Sequence, residues 1–118
     1  MSDDISSWFI SDLSLEFVKV RVQATVNGVN PYNPTGDRVQ FAFVAREAEP
    51  TGTDWVDGTW ETQTVQTPNG TQHIYRALGL VGPNGGKVLA QGVYDVYVKI
   101  FDNPEVPVRF VGILEVGE

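Results

Sequence analysis

The chain has 118 residues, no cysteine, and 15 acidic against 8 basic side chains, for a formal charge of -7. A chain of this length buries about two-thirds of its unfolded surface and folds as one domain without staples, and the missing cysteines exclude disulfides, thiolate nucleophiles and zinc-thiolate sites. The acidic balance opposes binding to nucleic-acid phosphates and to anionic membrane surfaces, and it favours solubility or basic partners.

The opening segment, Met1 to Ile10, carries Asp3 and Asp4 and has neither a basic stretch nor a long apolar one, so it does not read as a secretory signal peptide. No run approaches the length of a membrane span. Within residues 1–13, Trp8, Phe9 and Ile10 form an apolar triplet among polar and acidic neighbours. Such a triplet suits an N-terminal arm outside the core, whose aromatic residues anchor on a neighbouring subunit. An extra edge strand or cap on the same domain is the alternative. Residues 14–118 are expected to form the folded domain.

From Glu16 to Val26, the apolar Val18, Val20, Val22, Ala24 and Val26 alternate with Lys19, Arg21, Gln23 and Thr25, which is a strand with one buried face. Asn27-Gly28 suits a tight turn, and Pro31 and Pro34 keep the next stretch out of regular pairing. Arg38 to Ala45 is a second strand, with Val39, Phe41, Phe43 and Ala45 on one face; Gln40, Ala42 and Val44 on the other indicate burial on both sides. Arg46 to Asp57 reads as an acidic loop leading to one or two short strands around Trp55 and Trp60. Gln72 to Leu80, Val93 to Phe101 and Val108 to Val116 complete the strands, and the run Gly82 to Gly86 is a loop. Six or seven mainly antiparallel strands with no helical window point to an all-β sandwich or small barrel.

Leu89, Gly92 and Tyr94 narrow this to an immunoglobulin-like sandwich. In such folds a tyrosine at the corner before a long strand sends its hydroxyl back to an upstream backbone group, and Tyr94 is placed for that scaffold role. An inward-facing strand aromatic is the alternative.

Catalysis needs convergent nucleophiles, bases or metal ligands, and the inventory is thin: one histidine, His73, and no glycine-rich phosphate motif. His73 beside Ile74 reads as a strand residue. Glu47, Glu49, Asp54, Asp57 and Glu61 supply carboxylates but lack the spacing of a calcium loop, so a solvated acidic face is expected over a metal-assisted hydrolase. Trp55 and Trp60 are candidates for a sugar-stacking platform or for the core. Asn69-Gly70-Thr71 matches a glycosylation acceptor but reads as a turn. No catalytic residue, metal or cofactor is expected.

Three stretches carry a resemblance: Val18 to Val26 followed by Asn33-Pro34-Thr35; Trp55 to Trp60-Glu61; and Tyr94 to Gly112. The most particular element is Lys-x-x-Asp-Asn-Pro-Glu-x-Pro-Val-Arg at Lys99 to Arg109. Over most of its length after the first dozen residues, the chain resembles a family of small acidic proteins encoded among the virion structural genes of tailed phages infecting actinobacteria. The resemblance implies an immunoglobulin-like module made in the host cytoplasm and assembled on the phage particle, as a capsid decoration or minor capsid protein bound to the major capsid protein. A head-to-tail connector or tail-associated protein is the second implication, and a carbohydrate-binding module is the alternative outside this family. Homo-oligomers are a corollary, since decoration proteins sit at symmetry axes. The docking residues expected are Trp8, Phe9 and Ile10 of the arm, with Asn103, Pro104 and Glu105 of the Asp102 to Pro107 loop.

Overall fold

The computed structural model describes residues 6–23, 25–26, 30–31, 33–102 and 105–118. Its strands are β1 (Ser6–Ser11), β2 (Glu16–Val22), β3 (Thr25–Val26), β4 (Asn30–Pro31), β5 (Arg38–Ala45), β6 (Trp55–Asp57), β7 (Thr59–Thr67), β8 (Gly70–Val81), β9 (Gly92–Phe101) and β10 (Val108–Gly117). The alternation in β2 sets the pattern: Val18 is fully buried and Val20 and Val22 pack on the core, while Lys19 and Arg21 face out.

Two sheets pack face to face. One has the order β2-β8-β7 and the other β1-β10-β9-β5-β6, with β3 and β4 paired in a small separate ribbon. All neighbours in the two main sheets are antiparallel except β1, which runs parallel to β10. Strands β2, β8 and β7 occupy the B, E and D positions of an immunoglobulin-like sandwich, and β10, β9, β5 and β6 the G, F, C and C′ positions.

The core lies between the sheets and comprises Val18, Ala77 and Val81 from one side and Val39, Phe41, Phe43, Val96, Val98, Leu114 and Val116 from the other. The chain crosses from one sheet to the other at Gly58, between β6 and β7, where a Cβ would stand 2.8 Å from the Leu78 carbonyl oxygen and 3.0 Å from the Phe41 ring. Gly79 meets the same ring, at 2.8 Å. Both positions therefore exclude any larger residue.

Three expectations are corrected. The first is the non-core arm: its described part is strand β1, Ile10 is 4 % exposed and belongs to the core, and Trp8 packs against it. The physical reason is the shape of β10, which presents Gly112 to the Trp8 ring and Gly117 to the Phe9 ring. Backbone pairing over six residues then satisfies an edge of β10 that would otherwise be open. A boundary at residue 13 thus does not separate β1 from the sandwich. The second is the strand over Glu16 to Val26, which stops at Val22 before the short β3, with Ala24 and the Asn27-Gly28 turn outside the described residues. The third concerns β7, expected as short and found to be nine residues long. Of the strands holding Trp55 and Trp60, β6 is short and β7 is among the longer ones.

Replacing Ile10 by Ala should cost about 2–5 kcal/mol of unfolding free energy, measured by chemical denaturation. Gly112→Leu should destabilise comparably by colliding with the Trp8 ring and the Ser6 backbone. Unchanged stability after removal of everything up to Ser11 would contradict the placement of β1 in the core.

Candidate functional site

Because β5 points Val39, Phe41 and Phe43 inward, Gln40, Ala42 and Val44 must face outward from the five-stranded sheet. The register builds a row of neighbours across four strands. Phe110 of β10 lies opposite Tyr97 of β9, Tyr97 opposite Ala42 of β5, and Ala42 opposite Trp55 of β6. Ala42 is fully buried although it points away from the core, since large aromatic neighbours flank it on both sides. The Tyr97 and Phe110 rings pack at 5.6 Å between centroids with a tilt of 58°, a favourable edge-on geometry.

A bulge between Phe110 and Gly112 lets this row extend. The extra residue, Val111, packs towards the core, so Phe110 and Ile113 both face outward although they are three positions apart. The next row holds Val108, Lys99, Gln40 and Asp57. Lys99 Nζ sits 4.1 Å from the centre of the Trp55 ring and 5.6 Å from that of Phe101, and the Arg38 guanidinium lies 5.3 Å from Phe101. These cations hold the aromatic rings in place and keep part of the face wetted. On the other side of the aromatic row stand Ile113, Asp95 and Val44, and beyond them Phe9 and Val93 flank Glu115.

Asp95 is buried and fixes the β5–β6 connection. Its Oδ2 accepts the Glu47 backbone N–H at 2.8 Å, where Glu47 takes a positive φ of 68°. Its Oδ1 lies 2.7 Å from Arg46 Nε, a pairing by charge without an aligned hydrogen bond. Around this face Arg38, Arg46 and Lys99 balance Asp57, Asp95 and Glu115, so it is locally neutral in a chain of formal charge -7.

The other candidates fall in different places. The acidic residues do not converge. Asp54 accepts the Thr51 N–H and hydroxyl, Asp57 binds Arg38 and Gln40, and Glu61 pairs with Lys19 and Arg76. Among the described residues no group of three or more acidic or histidine side chains is placed to hold a metal. His73 is exposed, 3.3 Å from the Thr64 hydroxyl. Trp60 is half-buried against the core and donates from Nε1 to the Asp37 carbonyl at 2.8 Å. The Tyr94 hydroxyl donates to the Ala90 carbonyl at 2.7 Å, four residues upstream, and ties the β8–β9 connection to the start of β9.

Of the expected docking residues, Phe9 alone borders the aromatic face; Trp8 and Ile10 turn inward. Glu105 is exposed and bridges to Asp102, and Asn103 and Pro104 lie outside the described residues. Asp102 and Pro107 rim a cavity of about 260 Å³ at one end of the sandwich, floored by Val22, Val98, Ile100 and Val111. The aromatic row was missed by sequence reasoning, although the outward series Val93, Asp95, Tyr97, Lys99 and Phe101 was already a signal of it.

Tyr94→Phe should lose about 1 kcal/mol of stability, the usual net worth of one such hydrogen bond, with the fold retained. The hydrogen bonds from Gln40 and Arg38 hold the Asp57 carboxyl below the ordinary carboxylate value. A lowered folded value means that the contribution of Asp57 is present above the unfolded carboxylate pKa and is lost as pH falls through the folded one. The small difference in Tm between the wild type and Asp57→Asn should therefore exist at pH 6 and shrink progressively as pH falls below about 4. A difference that persists at pH 2 would contradict this. No family model, curated protein or solved structure matches this chain.

Proposed function

We propose that this chain is a non-catalytic structural protein of a tailed-phage virion, a capsid decoration or minor capsid protein that docks on the major capsid protein through the outer face of its five-stranded sheet. The observation that carries the docking surface is the row Phe110, Tyr97, Ala42 and Trp55. The phage assignment rests on the sequence resemblance centred on Lys99 to Arg109.

Aromatic side chains at the centre of a patch, ringed by polar groups, are what protein interfaces use as anchors. Phe110 at 40 % exposure and Phe9 at 60 % leave apolar area to be covered, and local neutrality removes the electrostatic cost that a -7 chain would otherwise meet on approaching an acidic partner. The remaining acidic surface limits aggregation of decorated particles. A head-to-tail connector or tail protein would use the same face and differ in copy number. The carbohydrate reading is weaker, because Lys99 already occupies one side of the Trp55 ring and Trp60 is engaged with the core.

Quantitative mass spectrometry of purified virions should find the protein in many copies per particle. Tyr97→Ala and Phe110→Ala should each weaken binding to undecorated capsid shells by about 30-fold, equivalent to about 2 kcal/mol, with the circular dichroism spectrum unchanged. Virions that lack the protein would overturn the assignment.

A further inference from the structure

The distal half of the β7–β8 hairpin stands out from the sandwich. Every residue from Thr62 to His73 is exposed except the half-buried Val65 and Thr67. The turn is tight: Pro68 and Asn69 connect the paired Thr67 and Gly70, Gly70 takes φ 118°, and the Thr67 hydroxyl donates to the Gly70 carbonyl at 2.8 Å. The radius of gyration is 15.1 Å, against about 13.5 Å for an average domain of this length, in keeping with a projecting ribbon. Two strands with solvent on both faces are marginal by themselves.

Open strand edges are normally protected by charge, proline, bulges or brevity. The β2 edge carries Glu16, Lys19 and Arg21, and β6 is three residues long and ends in Asp57. The β1 edge is six residues long and is followed at once by Asp12. The edge of β7 has none of these devices beyond Glu61. Among the described residues β7 pairs with β8 alone, in continuous register from Thr59 to Thr67. Its proline lies in the turn, and the fourteen residues between Glu61 and Arg76 carry no formal charge.

We infer that the free edge of β7, over Thr62 to Thr67, pairs antiparallel with the same edge of a second copy of this chain. In an antiparallel pair related by a two-fold axis one residue faces its own copy; centred on Thr64, the pairing sets Thr64 against Thr64, Gln63 against Val65 and Thr62 against Gln66. Threonine hydroxyls and glutamine amides each donate and accept, so the Thr–Thr and Thr–Gln pairs of this register satisfy one another, which no charged side chain does against its own copy. The pairing segment itself carries no charge, so it adds no like-charge repulsion at the contact. The product is a continuous six-stranded sheet, β2-β8-β7 followed by its two-fold image. This pairing uses the sheet opposite to the aromatic face and leaves that face free.

The purified protein alone tests it, so its failure would leave the virion reading untouched. Sedimentation equilibrium should give a dimer for the wild type. Thr64→Lys with Gln66→Lys, and separately Thr64→Glu with Gln66→Glu, should each give monomers of unchanged circular dichroism, and an equimolar mixture of the two should recover the dimer. Among single cysteines placed at Gln63, Thr64 or Val65 of this cysteine-free chain, the one at Thr64, which faces its own copy, should cross-link copies under mild oxidation, since opposed residues of an antiparallel pair lie within disulfide reach. A monomeric wild type would overturn the inference. So would a dimer that survives both charged variants, or a dimer that none of the three cysteines cross-links.

Discussion

The ring of Phe41 is the contact on which the rest of the molecule depends. It is fully buried, stacks on Phe43 at 6.0 Å, and rests against Gly58 and Gly79. Those glycines belong to the crossover and to β8, so one side chain fixes the distance between the sheets and the place where the chain changes sheet. The consequence runs to the opposite surface. With Phe41 directed inward, Ala42 is directed outward, and its small size lets Trp55 and Tyr97 close over it from both sides. The external aromatic row is therefore placed by the core.

Two further devices shape that surface. The bulge at Val111 restores the alternation of β10, so that Phe110 meets Tyr97 while Leu114 and Val116 still reach the core. Buried Asp95 holds the β5–β6 connection through Glu47 and Arg46, and the connection in turn delivers Trp55 to the end of the row. Side chains already fixed by the core would lower the ordering cost of the docking proposed for this face. Lys99 and Arg38 over the aromatic rings keep it from being a bare apolar patch.

Much of the scaffold was legible in the sequence because sheet burial has a period of two. Strand β5 matches its expected span of Arg38 to Ala45, and β8, β9 and β10 extend the expected spans by one or two residues at their ends. The burial of Ala42 and Val44 was legible in the mixed second face of the same strand. Strand β1 was not legible as core, because Ser-Ser-Trp-Phe-Ile-Ser becomes a strand only against Gly112 and Gly117, about a hundred positions away. Strand β7 hid for a related reason: beyond Trp60 its Thr and Gln residues have no apolar periodicity, and pairing with β8 defines it. The aromatic row needed four strand registers at once. Alternation along one strand gives Tyr97 and Phe101 a common face, but it does not say that Phe110 and Trp55 join them.

The proposed docking is tested most directly by hydroxyl-radical footprinting of the protein free in solution and after mixing with undecorated capsid shells. Tyr97 and Phe110, on the outer face of the five-stranded sheet, should lose reactivity on binding. Phe17, 46 % exposed on the opposite sheet, should keep its reactivity. Protection of Phe17 with Tyr97 and Phe110 left reactive would contradict the assignment of the aromatic row as the docking surface.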